Sequence, residues 1–105
     1  TKSYFEMLDY FFIRDDLDVK TLKDLDGKVV AIPKGFAHAV IIKKEFPKIK
    51  ILTVDTFSQA VDAVLEKKAD ILFDTYSALT YILKKEAINT IIPFKSYRGH
   101  SVMKL

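Results

Sequence analysis

The residues best suited to chemistry in this chain stand between Pro33 and Val40, where the sequence reads Pro-Lys-Gly-Phe-Ala-His-Ala-Val. Gly35 permits a backbone turn that a Cβ would obstruct, and Phe36 opens a helix-length segment running to Phe46. The first amides of a helix have no intrahelical acceptor. Phe36, Ala37, His38 and Ala39 are therefore expected to leave N–H donors free for an anionic or carbonyl-bearing ligand. His38 titrates near neutrality, and at a helix start the dipole is expected to favour its neutral form, able to donate to a ligand or to sense pH. The plainer alternative for it is a half-exposed surface histidine. Asp74 and Thr75 open another helix, where an N-cap role competes with a ligand contact. The candidate ligand-binding set is Gly35, Phe36, Ala37, His38 and Thr75.

A second constellation comes from acidic residues at predicted strand ends. Asp15 and Asp16, Asp55, Thr75 and Lys95 follow the order of a phospho-receiver domain: an acidic pair for Mg²⁺, an aspartate to phosphorylate, a hydroxyl, and a lysine to neutralise the phosphoryl group. Two features count against this alternative. The first crossover holds only a short turn at Thr21–Leu25 in place of a full helix, and Asp55 runs straight into a capped helix. Other catalysis is not indicated, because there is no Gly-x-Ser-x-Gly elbow, no P-loop and no Gly-x-Gly-x-x-Gly. No paired histidine or carboxylate spacing suggests a metal, and zero cysteines exclude disulfides and Cys-ligated zinc. No cofactor is expected.

The elements that must position these residues alternate regularly. Leu8–Arg14 reads as an aromatic strand, Val29–Ile32 as a strand buried on both faces and ended by Pro33, and Ile49–Val54, Ala69–Phe73 and Ile88–Phe94 as further strands. Phe36, Ala39 and Val40 supply one face of the first helix, widened by Ile41, Ile42 and Phe46 until Pro47 stops it. Thr56 and Gln59 make a capping box, and Phe57, Ala60, Val61, Val64 and Leu65 follow the helical template. A third helix is expected over Tyr76–Glu86, with Tyr76 and Tyr81 as packing residues. Asp70 is expected to cap or pair within the scaffold. Strands alternating with helices specify an α/β fold: a mostly parallel five-stranded sheet with helices on both faces. His100–Leu105 is expected as a last edge strand.

Length and charge bound the rest. A chain of 105 residues, 50% of them hydrophobic, builds one core that buries roughly 60–70% of the unfolded surface, so 1–105 is expected to be a single domain. No apolar run approaches the ~20 residues that cross a bilayer, and the first residues lack the blocks of a signal peptide. The net charge of +3 invites a nucleic-acid reading. The pairs Lys43–Lys44, Lys67–Lys68 and Lys84–Lys85 nevertheless fall where the last turns of predicted helices should lie, and there they complement the helix dipole. With no Arg-rich or aromatic stacking motif beside them, no nucleic-acid partner is expected.

The order of segments is more specific than the fold class. Leu22–Gly35, with its Leu-x-Gly-Lys-x-Val-Ala strand and Lys-Gly turn, precedes the capped Ala-Val helix, Ala69-Asp70 before a strand, and Tyr81 in the helix that follows. From about Tyr4 to Phe94 the chain resembles the second lobe of a type II periplasmic solute-binding protein, and most of all the Venus-flytrap sensor modules of bacterial histidine kinases and related receptors. The resemblance implies a non-catalytic, periplasmic or extracytoplasmic lobe that serves transport or signal transduction. Such a lobe closes with a companion lobe around a small organic acid or amino-acid-like metabolite, in a parent protein that can be membrane-anchored. The family's hydroxyl after the turn glycine is replaced here by Phe36, Ala37 and His38, leaving only backbone donors. Its ammonium-pairing carboxylate aligns with Thr75, with Asp74 one residue early and expected on the opposite face of the strand, and its Pro-Tyr entry is Ser3-Tyr4. A lone lobe exposes severed strands at Thr1–Phe5 and His100–Leu105, so homodimers or strand exchange are expected.

Overall fold

The computed structural model describes residues 9–97. Its elements, in order, are β1 (Asp9–Arg14), a 3-10 turn (Leu22–Leu25), β2 (Val29–Pro33), α1 (Ala37–Glu45), β3 (Lys50–Val54), α2 (Phe57–Leu65), β4 (Ile71–Thr75), α3 (Tyr76–Lys85) and β5 (Ile91–Tyr97). The strands form one sheet in the order β3-β2-β4-β1-β5. β2 runs parallel to β3 and β4, whereas β1 runs antiparallel to both β4 and β5. The sheet is therefore mostly parallel but mixed. A parallel pair needs a crossover of a dozen or more residues, usually a helix, because the chain must return to the starting edge. β1 already ends at the edge where β2 begins, so the 3-10 turn is connection enough. Thr21 and Asp24 brace it: the Asp24 carboxylate accepts from the N–H groups of Lys20 (2.9 Å) and Thr21 (3.1 Å).

Period-two alternation along β1 divides the core. Phe11 and Ile13 join Val30, Ile32, Ile71 and Phe73 on the face covered by Ile42 of α1 and Leu25 of the 3-10 turn. Phe12 joins Ala31 and Leu72 on the other face, beneath Ala60, Val61 and Val64 of α2 and Leu79 and Leu83 of α3. Phe11 and Phe12 are almost wholly buried on opposite sides, each contributing about 1.5–3 kcal/mol by leaving water.

Two expectations about packing fail. Phe36 and Val40 do not form the inner face of α1: Val40 is 65% exposed, and the core contacts come from Ala39, Ile42 and Phe46 instead. With apolar residues in succession from Ala39 to Ile42, this helix has no single apolar stripe, so the docking orientation selects which of them turn inward. Tyr81 is likewise 66% exposed, with Lys85 Nζ 6.0 Å from its ring centre, whereas Tyr76 packs on Tyr10 as expected.

The lysine pairs are placed as expected in α1 and α3, where Lys43, Lys44, Lys84 and Lys85 occupy the last turns. Lys67 and Lys68 instead lie past the end of α2. That helix closes with Lys67 N–H donating to Val64 O (3.1 Å) and Lys68 N–H to Ala63 O (2.8 Å), with Lys67 at φ 65°. The double bond and left-handed residue define a Schellman ending. α3 ends the same way through Ala87 and Ile88. The proposed edge strand at His100–Leu105 and the severed strand at Thr1–Phe5 fall outside the described residues.

Candidate functional site

The carboxyl ends of β2 and β4 lie at one edge of the sheet, and because β1 is antiparallel its first residue lies there too: Asp9 stands opposite Thr75. After β2 the chain reverses in a tight turn. Phe36 N–H donates to Pro33 O (3.4 Å), and Gly35 sits at φ +85°, the conformation that the third position of a type II turn requires. Lys34 N–H is tied to Val54 O (2.8 Å), which fixes the turn against β3. Phe36 is the N-cap of α1 in extended conformation, and Ala39 N–H donates to its carbonyl (3.2 Å). Of the four expected amide donors, Phe36 and Ala39 are thus engaged within the turn, and Ala37 and His38 are the pair left at the helix start.

His38 projects from this first turn toward β1 and β4. Its Nε2–H donates to Asp9 Oδ1 (3.0 Å) and lies 3.8 Å from Asp74 Oδ1, while its ring meets Phe73 edge-on at 5.2 Å. Asp74 Oδ1 also accepts from Thr75 N–H (2.7 Å). The His38 side chain is only 17% exposed, which excludes the half-exposed surface reading. The hydrogen bond that His38 donates to Asp9 raises the His38 pKa above its ordinary value; burial opposes this, and the charges of Asp9 and Asp74 add to it. The expectation that the helix dipole keeps His38 neutral is therefore overturned: two nearby carboxylates outweigh the partial charge of one helix end. Burial pushes the Asp74 carboxyl up, against the Thr75 amide and His38, with Asp9 reinforcing the rise.

Thr75 is the N-cap of α3 but makes no side-chain capping bond. Thr75, Gly35, Phe36, Ala37 and His38 all lie on the one edge, so the structure brings the candidate set together. Asp9 is the member that sequence reasoning missed. Nothing in Leu-Asp-Tyr-Phe-Phe-Ile-Arg marks its first carboxylate as different from any strand-edge aspartate, since only the reversed direction of β1 carries it here. Asp70 lies at the other edge and is a scaffold residue as expected: it pairs with Arg14 (2.8 Å) and accepts from Val29 N–H (3.0 Å). Among the described residues, no group of three or more His, Cys, Asp or Glu could hold a metal ion.

No protein-family model and no curated protein matches the sequence. Solved structures do match. The periplasmic VFT2 domain of Bordetella pertussis BvgS superposes with a TM-score of 0.79 at 22% identity, over 90% of this chain and 40% of that one. The GluR0 ligand-binding core from Nostoc punctiforme, solved with L-glutamate, gives 0.72 at 25% identity, over 86% and 44%. Domain 2 of TmArgBP gives 0.68 at 24% identity and is itself covered over 91% of its length. The chain has the fold of one lobe of a type II periplasmic binding protein. It spans under half the length of the two-lobed neighbours and nearly all of an isolated second domain.

The topology of this lobe also separates the residues that a phospho-receiver would need to gather. Asp15 and Asp16 follow the end of β1, where Asp15 N–H donates to Thr90 O and Arg14 N–H to Asp70 O, at the amino ends of β5 and β4. Asp16 is spent on Arg14 (3.0 Å) and Lys67 (3.7 Å). Asp55 follows β3 and Thr75 ends β4, both on the opposite edge, and Asp55 pairs with Lys34 (3.4 Å). Lys95 sits within β5 beside Phe11. No single ion or phosphoryl group can touch all five. A groove of about 480 Å³ between α3 and β5, lined by Phe12, Tyr76, Leu83, Lys84 and Pro93, contains none of the candidate residues.

Proposed function

We propose that this chain is a non-catalytic, extracytoplasmic ligand-binding lobe, the sensor portion of a receptor, that closes with a companion lobe around a small organic acid or amino-acid-like metabolite. The observation that carries this reading is the shared edge: the Gly35 turn, the Ala37 and His38 amides, Asp74 and Thr75 stand together at the carboxyl ends of β2 and β4, where open α/β sheets place their ligands. The amides can hold a carboxylate at the helix start, and Asp74 and the Thr75 hydroxyl can orient the remainder of the ligand. The reading draws support from the neighbours, which include a periplasmic domain of BvgS and a ligand-binding core holding L-glutamate. Among the described residues no helix is long and apolar enough to cross a membrane. In such a device the ligand acts by favouring the closed over the open arrangement of the two lobes.

The test is an amide NMR titration of the chain with pooled amino acids and carboxylic acids. Shifts clustered at residues 35–40 and 74–75 are expected, with weak, millimolar-range affinity of the order that half a cleft supports. Shifts confined to other residues, or no response to either pool at high concentration, would refute the proposed edge.

A further inference from the structure

His38 is placed to do something that ligand binding alone does not require. It is the only side chain of α1 that an ion pair joins to the sheet among the described residues, and it reaches two strands at once: Asp9 on β1 and Asp74 on β4. One ring nitrogen serves both contacts. Nδ1 is buried and has no hydrogen-bond partner among the described residues. A neutral ring in this position could keep the Nε2–H bond to Asp9, but it would leave two neighbouring carboxylates facing each other without a cation between them. A charged ring compensates both. The two carboxylates therefore favour the charged ring, against the cost of an Nδ1–H with no acceptor among the described residues, and the group in question has an ordinary pKa of about 6.5.

We infer that His38 is a proton-operated latch that fastens the first turn of α1 to β1 and β4 when the ring is charged and releases it when the ring is neutral. The charged groups acting on the ring are Asp9 from β1 and Asp74 from β4. From β5, Tyr97 pairs with Asp9 in the strand register and meets Phe73 and Phe46 edge-on, and burial, with Glu45 and Asp9 adding to it, raises its phenol pKa further above neutrality. Phe36, on α1's own cap, contributes an uncharged ring 6.2 Å away. Lys34, the cation before the Gly35 turn, is turned to Asp55. On proton loss the Asp9–His38–Asp74 cluster gains one negative charge, and the segment it held is the same turn that supplies the Ala37 and His38 amides. Its bearing on ligand affinity rests on the function proposed above; the latch itself does not.

The experiment needs no ligand. The chain, isotopically labelled, is followed by NMR between pH 5 and 9, reading the His38 ring resonance and the amide shifts and exchange protection of residues 36–40, with His100 as the second histidine signal. The His38 midpoint is expected above about 6.5, and amides 36–40 are expected to titrate with that same midpoint and to lose protection above it. After correction for the intrinsic pH dependence of exchange, that loss is about tenfold for each unit by which the His38 pKa is raised. Asp9→Asn should lower the midpoint and shrink the loss while leaving the fold intact, and His38→Gln should remove the pH response of amides 36–40 altogether. A His38 midpoint at or below 6.5 overturns the latch. So does a raised midpoint with no matching response in amides 36–40, or a response that survives in a folded His38→Gln chain. If ligand titration fails while these pH effects appear, the latch stands and the ligand-binding reading falls.

Discussion

Arg14 and Asp70 face each other at 2.8 Å across the edge of the sheet opposite the candidate site, and the pair fastens three strands. Arg14 ends β1, Asp70 precedes β4, and the second oxygen of Asp70 accepts from the amide that starts β2. Arg14 also donates to the carbonyl of Ala69. Both side chains are mostly buried, so deleting Asp70 leaves the Val29 amide without its acceptor and Arg14 with only its more exposed carboxylate partner, Asp16 (3.0 Å). Asp70→Ala is expected to cost about 2–3 kcal/mol by that reasoning. Urea denaturation with an unchanged slope would check it; a loss under about 0.5 kcal/mol, the level of a surface pair, would show the pair to be solvent-screened.

The pH dependence of stability follows from groups at both edges. His38 has a raised folded pKa, so its contribution is complete below its unfolded value of about 6.5 and disappears as pH climbs through the folded value. Asp74 is also raised, so it adds a penalty as pH climbs above its unfolded value of about 3.8. Asp24, lowered by the Lys20 and Thr21 amides, and Asp16, lowered by Arg14, stabilise above that value and lose their contribution as pH falls below it. The thermal midpoint should therefore be highest between about pH 4 and 6.5 and decline toward pH 8. A midpoint that rises between pH 6.5 and 8 would contradict the His38 assignment.

Ala87 at φ 55° closes α3 in a conformation that costs an L-residue roughly 1 kcal/mol and glycine almost nothing. Its amide donates to Lys84 O (3.1 Å), and that of Ile88 to Leu83 O (2.8 Å). Ala87→Gly is expected to raise stability by about 0.5–1 kcal/mol, read as a shift in the denaturation midpoint. No gain would mean that the extra freedom of the unfolded chain offsets the relief.

Gly35 presents the reverse case. A Cβ built there meets nothing within 4 Å, so the cost of Gly35→Ala is backbone strain at φ +85° without any clash. About 1–2 kcal/mol is expected, and less for Gly35→Asn, which tolerates left-handed backbone better. Equal losses for both variants would point to a steric cause instead.

Much of this molecule was legible in the sequence because it rests on local rules. The capping box of Thr56 and Gln59 forms as its spacing implies, with Gln59 N–H donating to the Thr56 hydroxyl at 3.1 Å. The β-branched run at Val29 is a central strand, and Pro33 and Gly35 stop and turn it. The ends of α2 and α3 were less legible, since Lys67 and Ala87 occupy positions that glycine usually marks.

What sequence alone determined, then, was the succession of strands and helices and the turn that leads to the Ala37 and His38 amides. These depend on residue type and on spacings of two to four positions, which the chain carries wherever it lies. The direction of β1 was decided only by tertiary structure, because strand polarity depends on which neighbours it pairs with and not on its own residues. That one reversal sends Asp15 and Asp16 to the far edge and brings Asp9 to within 3.0 Å of His38, raising the pKa of an imidazole that the helix dipole was expected to keep neutral.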